Sequence, residues 1–162
     1  MTAQPRHWWE HRVPPPVIDG ACALLMWWLA HALPTAQLWP RGGPVWALAL
    51  ALLLAVLGGG VALAGLVAFR RARTTFNPMA PQRASALVTG GIYRVTRNPM
   101  YLGMLLVLAG WGVWLGNAAS WLALPLSVAL LTALQIRPEE RILRARFGAA
   151  FDAYAAHVRR WI

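Results

Sequence analysis

The sequence predicts an all-α integral membrane protein: a helical bundle of about four transmembrane helices, with a short helical hairpin and a C-terminal amphipathic helix. Hydrophobic residues make up 59% of the chain and charged residues only 12%. Four apolar runs are separated by short polar segments, and the arginines fall almost entirely on one side of them. Ten tryptophans fit a protein that meets the membrane–water boundary repeatedly.

The first apolar run spans about Val17 to Leu38, after the stiff lead-in Pro14-Pro15-Pro16. The second, Pro44 to Phe69, is long, uncharged and rich in Leu, Ala and Val. The third covers about Met100 to Leu115 and the fourth about Trp121 to Ile136, with Gly116 to Ser120 between them. A hydrocarbon core of about 30 Å needs roughly 20 helical residues. The first two runs satisfy this. The last two read as a tight hairpin whose helices cross fully only if flanking residues extend them. A cleaved leader is the competing reading of the first run, because Ala30-His31-Ala32 resembles a cleavage site, but Trp27-Trp28 sits badly in such a segment.

Arginine placement supports an even number of crossings. All fifteen basic residues are arginine, and only Arg41 lies between the first and second runs, with none between the third and fourth. With both ends cytoplasmic, every other arginine falls inside, as the positive-inside rule expects. The net charge of +10 therefore points to anionic lipid headgroups rather than nucleic acid. Cys22 is the only cysteine, and His7, His11, His31 and His157 are scattered, so a disulfide framework or a metal centre is not expected.

Two segments remain on the arginine side. Residues 70–99 carry turn signals at Asn77-Pro78, Pro81, Gly90-Gly91 and Asn98-Pro99. From Pro138 to Ile162, Leu143, Phe147, Phe151, Tyr154, Val158 and Trp161 recur at spacings of three and four. That pattern predicts an amphipathic helix on the membrane surface, with Gly148 placed to interrupt or kink it.

Two clusters stand out chemically. Gly90-Gly91-Ile92-Tyr93-Arg94-Val95-Thr96-Arg97-Asn98-Pro99-Met100-Tyr101-Leu102-Gly103 joins paired glycines, two arginines, an Asn-Pro turn and a tyrosine entering an apolar helix. On residue types alone it reads first as a juxtamembrane loop with arginines on phospholipid and Tyr101 in the aromatic belt, and second as a ligand loop. Pro138-Glu139-Glu140 holds two of the five acidic residues. Acidic side chains suit the first turn of a helix, and they also suit a cationic ligand rich in hydroxyl and amino groups.

Taken together, these clusters resemble the isoprenylcysteine carboxyl methyltransferase family, in a bacterial-type member. That family is related to the membrane phospholipid methyltransferases. The resemblance rests on the order Gly-x-Tyr, Arg-x-Pro-x-Tyr-x-Gly, an apolar hairpin, then Glu-Glu, Leu, Phe-Gly, Tyr, Val and Arg-Trp, and covers Thr74 to Ile162. It implies a membrane methyltransferase that uses S-adenosylmethionine on a lipophilic acceptor. It divides the chain into an N-terminal membrane region, 1–73, and a catalytic region, 74–162. It implies that Gly91, Tyr93, Arg97, Asn98, Pro99, Tyr101, Gly103, Glu139 and Glu140 form the cofactor pocket, and that Arg160 and Trp161 lie near the lipid-facing entrance. Asn98 stands where many relatives have His, and Phe151 where Tyr is common.

No Gly-x-Gly-x-x-Gly follows a strand, so a soluble Rossmann route to this cofactor is not expected. A carboxylate acceptor needs no general base and would be oriented by Arg97 or Arg160; for an amine, Glu140 is the nearest base. The expected partners are a lipophilic or lipidated substrate and membrane lipids, with no nucleic acid and no metal. The expected location is a bacterial inner membrane, with both termini and the active site cytoplasmic. Two other classes remain: a membrane reductase related to sterol reductases, and a non-catalytic small membrane protein.

Overall fold

The structure is a computed structural model that describes residues 13–72 and 85–162. The described residues form helices α1 (Pro15–Ala32), α2 (Val45–Arg71), α3 (Pro99–Leu115), α4 (Ala123–Leu131), α5 (Arg137–Phe147) and α6 (Ala149–His157). There is no strand among them, only an isolated antiparallel bridge between Gln37 and Asn117. The turn signals at Asn77-Pro78 and Pro81 lie outside the described residues.

The proline lead-in starts α1. Prolines in its first turn lack N–H groups that a helix start would leave unbonded in any case. The helix ends at Ala32, earlier than the apolar run suggested, because Pro34 opens a separate short turn at Pro34–Ala36. Ile18, Cys22, Met26 and Ala30 are buried, one row at a spacing of four. Val17, Leu24, Trp27 and Trp28 point outward, as they would towards lipid.

The α2 helix buries only small residues: Ala47, Ala51, Gly58 and Gly65. Its Leu52, Leu53, Val56, Leu57 and Leu63 are exposed. Lipid is as apolar as leucine, so close backbone approach, not hydrophobic burial, holds such a helix to its neighbour. A methyl group on Gly58 would lie 2.5 Å from the Gly103 carbonyl oxygen of α3, and one on Gly110 would lie 2.8 Å from the Ala51 carbonyl. Helix α3 is therefore central. Its Val113 packs with α2, its Leu108 and Leu115 with α1, and its Tyr101 and Leu105 with α1 and α4.

The fourth apolar run does not end where the charged segment begins. A single helical stretch runs from Ala118 to Phe147, through α4, a π turn at Thr132–Ile136 and α5. This stretch and α2 are both long and apolar enough to cross a bilayer, while α3 is shorter at 17 residues, or about 25 Å. Flanking residues thus extend the fourth run into a spanning length, whereas α3 gains only Pro99 over the third apolar run and stays shorter.

Past Phe147 the chain breaks at Gly148, whose φ of +51° and ψ of −127° suit glycine alone. The amphipathic region is consequently two helices, and Val158 and Trp161 lie beyond the end of α6. The continuous apolar face expected from Leu143 to Trp161 is corrected in this respect. Phe151 is buried, but Trp161 follows an extended segment and packs against the cluster of Ile18, Tyr101, Leu105, Leu131 and Ile136.

At the arginine-poor end, side chains fasten the two loops together. Buried Asn117 donates to the Leu33 carbonyl at 2.9 Å and accepts from the Ala119 N–H at 2.9 Å. Gln37 donates to the Trp39 and Leu115 carbonyls, and Trp39 Nε1 donates to the Val113 carbonyl at 3.0 Å. Gly116, at φ +62°, makes the turn that allows this.

Candidate active site

The opposite end of the bundle gathers the two chemically distinctive clusters. Gly91, with φ +61°, opens a single 3-10 turn, Gly91–Arg94, which buries Tyr93 edge-on against Phe69 of α2 at 5.4 Å between ring centroids. Asn98 is the N-cap of α3, and Pro99 is its first residue. The Asn98 carbonyl starts the helix by accepting from the Leu102 N–H, but its side chain makes no cap. The Asn98 N–H bonds to Thr96 Oγ1 at 3.1 Å instead, and the Asn98 amide donates to the Arg160 carbonyl at 2.8 Å.

Arg97 is the hub. Its Nη1 donates to the Ala155 and Val158 carbonyls, both at 2.9 Å, and so closes the end of α6, where helix carbonyls lack internal partners. Its Nη2 reaches Glu140 Oε1 at 2.7 Å, and its backbone N–H bonds to the Arg159 carbonyl at 3.0 Å. Glu140 is grasped from the other side by Arg160, through Nε at 3.0 Å and Nη2 at 2.6 Å. Only 10% of the Glu140 side chain is exposed, against 13% for Arg97 and 34% for Arg160. The hydrogen bonds to Glu140 hold the Arg160 guanidinium above its usual pKa, against the opposing effect of burial.

Glu139, the next residue, has different company. Its Oε1 accepts from the Tyr101 hydroxyl at 2.5 Å, a neutral partner. Two adjacent carboxylates are thus separated by role. Glu140 is bound by two guanidinium groups, whereas Glu139 is met by an uncharged hydroxyl. Tyr154 of α6 completes the frame by donating to the Tyr93 carbonyl at 2.7 Å. Burial pushes its hydroxyl up to about 12, with the Arg97 charge pulling the other way. Burial also pushes the Tyr93 hydroxyl well above its ordinary value.

Of the residues singled out from sequence, Arg97, Asn98, Glu140 and Arg160 form one bonded group, and Tyr101 with Glu139 forms a second group beside it. Tyr93 joins through Tyr154. Pro99 and Gly103 face α2, where Pro99 packs by Gly65 and Gly103 by the Gly58 carbonyl and Ala62. Gly91 is exposed. Sequence reasoning missed Thr96, which is buried and donates to the Arg160 carbonyl at 3.4 Å, and the capping role of Arg97. It also missed Gln135, although that is a strongly polar side chain within the fourth apolar run.

Residues 46–150 match the phospholipid methyltransferase family, a stretch that contains the 96–98 turn and both glutamates. A protein of Haemophilus influenzae is 40% identical over 63 residues, 39% of this chain and 100% of that protein. Protein-S-isoprenylcysteine O-methyltransferase A of Arabidopsis thaliana is 30% identical over 113 residues, 70% of this chain and 57% of the plant protein. A probable protein-S-isoprenylcysteine O-methyltransferase of Oryza sativa subsp. indica is 38% identical over 72 residues, 44% of this chain and 38% of its relative. The chain therefore spans only part of the length of these plant relatives. With most of its described helices and both polar clusters inside the matched stretch, the chain belongs to the phospholipid methyltransferase family.

Proposed function

We propose that this protein is a membrane methyltransferase that uses S-adenosylmethionine to methylate a lipophilic acceptor, at a site in residues 74–162 facing the cytoplasm. One observation carries the reading. The loop before α3 and the acidic turn after α4, 43 residues apart in sequence, meet through the Arg97–Glu140 ion pair. The names of the plant relatives, which are isoprenylcysteine O-methyltransferases, and the family of residues 46–150 point the same way.

The residues fit such a cofactor by their chemistry. A sulfonium ligand with an amino group and ribose hydroxyls is cationic and rich in donors. Glu139 offers a carboxyl group held by the neutral Tyr101 hydroxyl. We assign to it the charge complementarity of the pocket, together with Asn98, Tyr93 and Tyr101, and treat Gly91, Pro99 and Gly103 as shaping the backbone around them. Glu140, committed to Arg97 and Arg160, is a positioning residue that sets the distance between loop and turn. When bound, S-adenosylmethionine supplies an electrophilic methyl carbon. The protein aligns the groups and excludes water, which suits a buried setting at a membrane boundary.

Arg160 favours an anionic acceptor. Arg97 directs its fork to Glu140 and two carbonyls, whereas the Arg160 side chain is one-third exposed. A carboxylate like that of an isoprenylcysteine would lie against its free edge already ionised, with no base required. A phospholipid amine is the other acceptor class compatible with the family. The arginine asymmetry supports an orientation in which this end of the bundle faces the cytoplasm, in a bacterial inner membrane on this reading. The test is calorimetric titration of S-adenosylmethionine into the detergent-solubilised protein and its Glu139→Gln variant. The reading expects saturable binding by the native chain and a loss of about tenfold or more in the variant. Equal affinity in a folded variant removes Glu139 from the pocket.

A further inference from the structure

Gln135 lies in the π turn that joins α4 to α5 and is fully buried. Its amide nitrogen donates to the Val13 carbonyl at 2.6 Å. Its carbonyl oxygen, Oε1, has no hydrogen-bond partner among the described residues. Reversing the amide does not remove the deficit, since it sets two carbonyl oxygens against each other and strands the NH2 group instead. A buried acceptor without a donor is costly, and each such group calls for a reason. The π turn is a second, independent feature. Turns of this kind break the regular helical bonding and concentrate at functional sites.

Position gives the reason. Gln135 precedes Glu139 by four residues in one continuous helical stretch. Ile136, beside it, shares a buried cluster with Tyr101, whose hydroxyl is bonded to Glu139. An amide carbonyl and a carboxyl group thus stand close in sequence beside the same tyrosine.

We propose that Gln135 is a further binding residue of the site, whose amide carbonyl accepts a hydrogen bond from an N–H or O–H donor of bound S-adenosylmethionine. This rests on the cofactor reading above. The ligand supplies the donor that the protein lacks, so Gln135 is a liability to the empty fold and an asset to the filled one. A purely structural Gln135 has the opposite signature.

Gln135→Met distinguishes the two, because it keeps the length of the side chain and removes its polar end. Val13 is exposed, so its carbonyl regains water when the amide is lost. Thermal unfolding of the ligand-free variant is expected at or above the native midpoint. Calorimetric titration of S-adenosylmethionine is expected to show affinity about tenfold weaker, about 1.4 kcal/mol. Gln135→Leu serves as a second apolar replacement and is expected to behave alike. Unchanged affinity with an unchanged or raised midpoint overturns the proposal. A lowered midpoint in both variants overturns it too, since it marks Gln135 as structural. If the native protein itself does not bind S-adenosylmethionine, the cofactor reading fails, and this inference with it; that result is separate from the variants' behaviour.

Discussion

Arg97 and Arg160 hold the same carboxylate, yet their replacement by methionine should have very different consequences. Arg97→Met removes a charge-assisted hydrogen bond between two nearly buried groups, at a cost of about 3 kcal/mol, although Arg160 still holds Glu140. Arg97→Met also frees the Ala155 and Val158 carbonyls at the end of α6, adding about 1 kcal/mol for each lost hydrogen bond. The total is about 5 kcal/mol. Arg160→Met leaves Glu140 still paired with Arg97, and its own side chain is one-third exposed, so solvent screening limits the loss to about 1 kcal/mol. For a chain of this size each kcal/mol moves the midpoint by about 2–4 °C. Arg97→Met should therefore unfold roughly 10–20 °C early, and Arg160→Met only about 2–4 °C early. The assay is thermal unfolding of the ligand-free protein in detergent, followed by circular dichroism. Adding Glu140→Gln to Arg97→Met should cost much less than Glu140→Gln alone, because the nearly buried Arg97 guanidinium is then no longer left without its carboxylate. Equal losses from the two arginine variants, or a larger loss from Arg160→Met, would refute the assignment of Arg97 as the hub.

Further outcomes follow from the same coordinates. Gly58→Leu should destabilise by at least about 1–3 kcal/mol, since even its Cβ meets the Gly103 carbonyl, whereas Gly59→Leu, with open space around it, should be neutral or mildly stabilising; unfolding midpoints of the pair check this. Gly148→Ala meets no neighbouring atom, so its expected loss of about 1–3 kcal/mol reflects backbone conformation alone, and an unchanged midpoint would count against the break between α5 and α6. The neutral Tyr154 hydroxyl should stabilise the native chain relative to Tyr154→Phe. Its folded pKa, about 12, lies above the ordinary value of about 10, so that advantage is present below pH 10 and is lost as pH rises towards 12. The midpoint difference between the two proteins should narrow across that window; a constant difference would contradict the bond to the Tyr93 carbonyl.

The helices were legible because membrane-facing apolar runs are long and their ends carry arginine, glycine or proline. Pro99, Gly116 and Gly148 each mark a boundary that the structure uses. Pairing was not legible. The α2 helix reads as uniformly apolar, and nothing in its sequence says that Gly58 rather than Gly59 meets α3, because that choice depends on the partner's backbone. The site shows the same division. Its two clusters were visible as motifs, but the division of work between the adjacent glutamates was not. Glu139 and Glu140 are chemically identical, and only the arrival of Arg97 and Arg160 at one and of Tyr101 at the other separates them. Arg97 stands out in the sequence because arginine fits carboxylates well; its bonds to an internal carboxylate and to a helix end become visible only in the fold.

The most direct test is transfer itself. Purified protein in lipid–detergent micelles is incubated with methyl-labelled S-adenosylmethionine and a total bacterial lipid extract, and label is followed into the organic phase. The account predicts a labelled lipophilic product from the native chain, and a loss of at least about tenfold with Glu139→Gln at subsaturating cofactor. Label that stays wholly in the aqueous phase, from a folded native protein that has access to phospholipid amines and isoprenoid carboxylates, would contradict it.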